Sequence, residues 1–326
     1  VKNLWRFGKR RGKIAENNEI GRMPPMSLFP GMKLGTNVYR FPDFSSDFRE
    51  IVSFVQTAEQ LGYSHVRFLD HVVGVMVEEH GGINQTPYTD KSVIREVFTL
   101  LAYLSAVTKK IEFTTGVLVL PQRQTALIAK QAAEIDIMSG GRLTLGVGLG
   151  YNEVEYEALG VNFKTRVSMF EEQVQVLRLL WTENDVTFEG RFHKLRNISL
   201  SPRPIQRPIP LFFGMGRVIA PIPPDAVLER CGRMADGWLP IFKPDAEGRA
   251  AVDKMEAAAR AAGRDPSKII MEMGLSVVGL SPEQIRDEVK KRQDFGATRV
   301  NFMVPGKSAA EQTEDIKRLA DVLQLG

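Results

Sequence analysis

Residues 111–152, IEFTTGVLVLPQRQTALIAKQAAEIDIMSGGRLTLGVGLGYN, constrain the fold more than any other stretch. Ile111 to Val117 is apolar and β-branched, broken by Thr114, Thr115 and Gly116, and closed by Leu118 to Pro121. From Gln124 to Met138 the apolar residues Leu127, Ile128, Ala132, Ile135 and Met138 recur at three-and-four spacing, which predicts a helix. Gly140 and Gly141 stop it. Leu143, Leu145 and Val147 then alternate as a second strand that ends among Gly146, Gly148 and Gly150. Strand, helix and strand with short returns make a βαβ unit, and its strands are parallel.

The same unit recurs along the chain. Met32–Val38 reads as a first strand, and Asp47 caps a helix with an apolar face of Phe48, Ile51, Val52, Val55, Ala58 and Leu61. Ser64–Leu69 is a second strand that runs into Asp70 and His71. Residues 72–91 are too long for an ordinary connection and read as a functional loop. Ser92–Val107 is the second helix. After the central unit come a short helical turn, Asn152–Leu159, and a longer helix whose inner face is Val167, Phe170, Val174, Leu177 and Trp181. Residues 184–200 alternate around Glu189-Gly190 and predict an inserted β-hairpin. Strands at 211–213, 237–241, 269–277 and 299–304 each precede a helix, at 224–235, 245–262, 282–295 and 309–325. Eight strand–helix pairs predict an α/β fold of the (β/α)8 TIM barrel type with an inserted hairpin. A dinucleotide fold would place GxGxxG after strand one. Gly35-Thr36-Asn37 lacks it, and the glycines 146, 148 and 150 have the wrong spacing.

Charge is concentrated at one end. Residues 1–22 carry a net charge of +5 against +4 for the whole chain, which leaves the body at −1. Residues 1–25 therefore read as a disordered leader and 26–326 as a single barrel domain, with neither nucleic acid nor membrane expected as a partner. The single cysteine, Cys231, excludes an internal disulfide and points to a reducing, cytoplasmic setting.

Barrel enzymes work at the C-terminal ends of their strands. Those ends carry Thr36 and Asn37, Asp70 and His71, Thr115 to Val117, Gly148 to Asn152, Gly214 to Arg217, and Trp238. Among them His71 alone exchanges protons readily at neutral pH. Metal-ligand spacing, a GxSxG elbow and a carboxylate pair are all missing, which argues against metal, nucleophile and glycosidase chemistry. A glycine-rich mouth with one histidine suits a flat cofactor that brings its own reactivity. Tight turns explain Gly140-Gly141, while Gly148, Gly150, Gly214 and Gly216 stay open between turn and ligand roles.

The stretches LGYSHVRFLDH (61–71), TTGVLVLPQRQ (114–124), SGGRLTLGVGLGYNEVEYEALG (139–160) and ADGWLP (235–240) resemble the luciferase-like flavin monooxygenase family. The nearest resemblance is to its deazaflavin branch, the coenzyme F-420 oxidoreductases. The resemblance spans about residues 32–304. It implies a (β/α)8 barrel, coenzyme F-420 or alternatively FMN as cofactor, a small-molecule substrate and a homodimer paired through outer helices. It implies His71, after Asp70, as the catalytic pair beside the ring. A bulge with a non-proline cis peptide at Gly116–Val117 would back that ring. Asn37, Gly148, Gly150, Tyr151, Asn152, Gly214, Met215, Gly216 and Arg217 would flank the rest of the cofactor. Two specific activities fit poorly: bacterial luciferase has an arginine where this chain has Gly148, and sugar-phosphate dehydrogenases have a glutamate at Tyr151. The leading expectation is hydride transfer with coenzyme F-420. An FMN-dependent monooxygenase and a non-catalytic flavin-binding protein are the alternatives.

Overall fold

The computed structural model describes residues 28–38, 47–76, 78–79, 88–217 and 219–325. The basic leader, His80 and much of the long loop lie outside them. The elements run β1 (Lys33–Asn37), α1 (Phe48–Gln60), β2 (His65–Phe68), α2 (Val97–Val107), β3 (Glu112–Thr115), β4 (Leu118–Val119) and α3 (Thr125–Ser139). They continue as β5 (Leu143–Gly148), α4 (Glu153–Ala158), α5 (Arg166–Thr182), β6 (Val186–Glu189), β7 (Lys194–Ile198), β8 (Leu211–Met215) and α6 (Asp225–Met234). The chain finishes with β9 (Gly237–Pro240), α7 (Ala246–Ala261), β10 (Ile270–Ser276), α8 (Pro282–Phe295), β11 (Arg299–Met303) and α9 (Ala309–Leu323).

The strands close a ring. β1 pairs with β2 and with β11, and the circuit is completed through β3, β5, β8, β9 and β10, every pair parallel. This is the eight-stranded barrel expected, with helices around it. The inserted hairpin β6–β7 pairs antiparallel by itself, with Phe188 opposite Leu195.

Local chemistry sets the boundaries. The Asp47 side chain accepts from the Arg49 N–H and starts α1, as expected. Gly140 and Gly296 end α3 and α8 at φ 74° and 107°, where a side chain is disfavoured. The third strand is broken where the resemblance implied a bulge: β3 stops at Thr115, the Gly116–Val117 peptide is cis, as expected, and β4 resumes against β5. Three expectations need correction. Helix α2 begins at Val97 rather than Ser92, because Glu96 is its cap and accepts from the Thr99 N–H. Strand β8 runs through Gly214 and Met215, so only Gly216 and Arg217 belong to the turn beyond it. Val167 is exposed, since the buried face of α5 begins at Phe170.

Candidate active site

The break in the third strand shapes the mouth. A Cβ added at Gly148 would stand 2.6 Å from Val117 Cγ2, and one added at Gly214 would stand 2.4 Å from Val117 Cγ1. The Val117 side chain thus wedges between β5 and β8, and the two glycines give it room. A Cβ at Gly150 would meet Val119, and one at Gly216 would meet the Pro221 carbonyl. The open question about these four glycines resolves toward packing for the space over their Cα atoms. Arg217 pairs with Ala220 through two backbone hydrogen bonds, and Met215 is buried in β8.

Asp70 fastens this bulge. Its carboxylate accepts from Arg123 Nη2 at 2.6 Å and from the Val119 N–H at 3.2 Å. Arg123 also reaches Glu96 at 3.2 Å. Burial pushes the Asp70 carboxyl up, against the pull of Arg123. With both oxygens engaged and 2% exposure, Asp70 holds the scaffold next to the mouth rather than facing into it.

His71 follows directly. Its Nδ1 lies 3.2 Å from Glu155 Oε2, and Nε2 makes no hydrogen bond among the described residues. The ring stands 4.8 Å from Tyr88 and 6.0 Å from Tyr151, centroid to centroid. His71, Val72, Tyr88, Ser92, Ile94 and Asn152 line a cavity of ≈ 50 Å³. Asn152 itself caps α4 by accepting from the Glu155 N–H. Glu155 is buried in α4 and accepts from the Val72 N–H at 2.6 Å and from Gln122 Nε2 at 3.2 Å. Burial works against its charge, but the bonds from His71, Val72 and Gln122 prevail and hold its carboxyl below the usual range.

The floor is polar. Asn37 donates to Asn301, which donates to the Thr36 carbonyl. Arg67 Nη1 lies 3.4 Å from Glu272, and its aliphatic stem fills the space over Gly116. Gly274 shares its register with Asn301, and a Cβ there would meet nothing within 4 Å. The space over Gly274 is therefore open. Beneath it Glu272 contacts His65 at 3.3 Å and Arg299 at 2.8 Å.

The structure thus gathers Asp70, His71, Gly116, Val117, Tyr151 and Asn152 around one end of the barrel, beside Asn37. Sequence reasoning missed Glu155, Gln122 and Arg67. Glu155 stands three residues after the capping Asn152, and that helix-start spacing was the available signal. Arg67 lies inside a short strand, where alternation with the apolar Val66 and Phe68 marks it as facing the barrel interior.

A closed parallel barrel with an oriented histidine at its C-terminal mouth defines an enzyme of the TIM-barrel class. The chain matches the luciferase-like monooxygenase family over residues 31–319 and belongs to it. It is accordingly an oxidoreductase of a family that includes F420-dependent dehydrogenases and monooxygenases. Protein Rv0940c of Mycobacterium tuberculosis is 31% identical over 277 residues, 82% of this chain and 90% of the relative. The F420-dependent glucose-6-phosphate dehydrogenase of Amycolatopsis mediterranei is 26% identical over 285 residues, 85% of this chain and 78% of that enzyme. The monooxygenase RslO1 from Streptomyces bottropensis superposes with a TM-score of 0.73 at 20% identity, covering 90% of this chain and 99% of that one. No helix among the described residues is long and apolar enough to cross a membrane.

Proposed function

We propose that this chain is a coenzyme F-420-dependent oxidoreductase acting on a small organic substrate, with His71 as its acid/base. The observation that carries the reading is the oriented imidazole at the barrel mouth, tied through Nδ1 to a buried carboxylate, with no hydrogen bond at Nε2 among the described residues. The deazaflavin supplies the hydride chemistry when bound. The residues present fit it: the Val117 wedge gives a ring something to rest on, and the space over Gly274 is unfilled. Asn37 and Arg67 can meet polar ring edges at the floor, and the chain segments 148–152 and 214–217 can flank the tail. His71 Nε2 takes or gives the substrate proton, while Asp70 holds the neighbouring bulge in place. The exposed apolar residues Val72, Val73 and Tyr151 stand beside His71 and suit an organic substrate.

A second reading, an FMN-dependent monooxygenase, draws on the similarity to RslO1 and on the same apolar residues. The two separate by cofactor retention after incubation with both, read by absorbance and by mass after denaturation. Retention of coenzyme F-420 is expected, and retention of FMN alone would overturn the reading. The exposed side chains of Tyr103 on α2 and of Leu127 and Met138 on α3 support the proposal of a homodimer through these helices. Light scattering that finds only monomer at micromolar concentration removes that part.

A further inference from the structure

We propose that Glu155 is a positioning residue that fixes the tautomer of His71, so that Nε2 is the nitrogen that gains and loses the catalytic proton. The inference rests on the reading that His71 acts at the mouth. An ionised carboxylate only accepts hydrogen bonds, and its two oxygens offer about four sites. Four donors fill them here. Glu155 Oε1 takes the N–H groups of Val72 at 2.6 Å and Val73 at 3.4 Å. Its Oε2 takes Gln122 Nε2 at 3.2 Å and His71 Nδ1 at 3.2 Å. The two backbone groups can only donate. The remaining partner on Oε2, Nδ1, must then carry hydrogen, and the neutral imidazole presents a bare Nε2. The bonds that hold the Glu155 carboxyl low keep it ionised, which keeps this assignment in force.

The same carboxylate orders the start of the loop after β2, through Val72 and Val73. One side chain therefore sets both the proton inventory of the base and the first residues of the segment beside it. A merely structural glutamate would need the backbone bonds but would be indifferent to the imidazole nitrogen. That difference can be measured.

Glu155→Gln separates the two roles. The amide oxygen can still accept from Val72 and Val73, so the loop start is kept. The amide nitrogen then faces Nδ1 and turns it into an acceptor, which moves the proton to Nε2. Gln122 can adapt by turning its own amide, because its buried Oε1 has no partner among the described residues. The experiment is ¹⁵N NMR of histidine-labelled protein without cofactor, with the His71 signal assigned by its loss in His71→Gln. Wild type is expected to show a protonated Nδ1 and a bare Nε2, and Glu155→Gln the reverse. With cofactor and substrate, Glu155→Gln should lose ~10²-fold or more in kcat with KM changed less, because the base is absent from the working nitrogen. A wild-type spectrum with hydrogen on Nε2 overturns the proposal, and it decides even if the variant does not fold. An unchanged tautomer or wild-type kcat in Glu155→Gln overturns it as well. The spectrum needs no cofactor, so its outcome is separate from failure of the coenzyme assignment.

Discussion

A methyl group at residue 148 would stand 2.6 Å from one γ-carbon of Val117, and one at residue 214 would stand 2.4 Å from the other. Such contacts are shorter than carbon atoms tolerate, so a side chain at either position must displace the wedge. Gly148→Ala is expected to cost about 1–3 kcal/mol, the scale of overpacking in a filled core. In the Val117→Ala background the same change should cost markedly less, since the offending γ-carbons are gone. Urea unfolding of the four proteins in this cycle checks it, and strict additivity would mean that the wedge does not press on Gly148. His71→Ala should lower turnover by ~10²-fold or more with cofactor binding weakened less, as expected for removal of an acid–base group. Wild-type turnover in that variant would make His71 structural. At this scale the sequence was readable where a residue type announces itself. His71 is a histidine at a strand end, and Asp70 stands beside it. Glu155 was not readable, because a glutamate in a short polar helix looks like any solvated charge. Its meaning comes from four donors contributed by two other segments.

The inserted hairpin shows how an element is fixed by one side chain. Glu172 on α5 accepts from the backbone N–H groups of Arg191, Phe192 and His193, and from His193 Nδ1 at 2.7 Å. His193 Nε2 lies 2.5 Å from Thr125 Oγ1 at the start of α3. Gln173 bridges that hydroxyl to the carbonyls of Leu120 and Arg123, in the segment that follows the bulge. The hairpin is therefore bolted to α5 and α3 by polar contacts, while much of its own surface is exposed. Glu172→Ala should speed amide exchange at residues 191–193 and through β6 and β7, with the barrel strands unchanged. Equal acceleration throughout would show that the hairpin and barrel open together. The hairpin itself was legible, because two alternating runs around a glycine have few other solutions. Its anchor was not, since Glu172 and His193 are 21 residues apart and meet only when α5 has packed. The broken third strand is a similar case. Thr114, Thr115 and Gly116 interrupt its apolar run, but that pattern alone does not say the backbone turns there, and the cis peptide was expected only from the family resemblance.

Across the whole molecule, closing the ring joins Lys33, His65, Arg67, Glu112, Glu272 and Arg299 in one polar cluster that runs from the exposed Lys33 to the buried Glu272. The eight-unit architecture was legible because each strand–helix repeat follows local rules. This cluster was not, since its members lie on four other strands besides β1 and β2's neighbours in sequence tell nothing of β10. Its charges give the fold a pH dependence of definite sign. His65 is completely buried, and burial first, then Arg299, hold its imidazole below the ordinary 6.5. The unfolded chain thus accepts a proton below about pH 6.5 that the folded chain declines. Glu272 is also fully buried. Burial opposes its charge, but the polar contact from His65 and the charges of Arg299 and Arg67 outweigh that and hold its carboxyl far below the ordinary 4.5. Its stabilisation is complete above that value and is lost as pH falls further. Both groups therefore weaken the fold on acidification, whereas Asp70, raised by burial, runs the other way and softens the lower part of the curve. One proton changes stability by about 1.4 kcal/mol per pH unit. Urea midpoints should accordingly decline from pH 7 to pH 5 and fall more steeply below 4.5. His65→Gln keeps a donor toward Glu272 but removes the titration, so its midpoint should change less between pH 7 and pH 5. A wild-type midpoint that is level over that interval would show that His65 does not remain neutral inside the barrel.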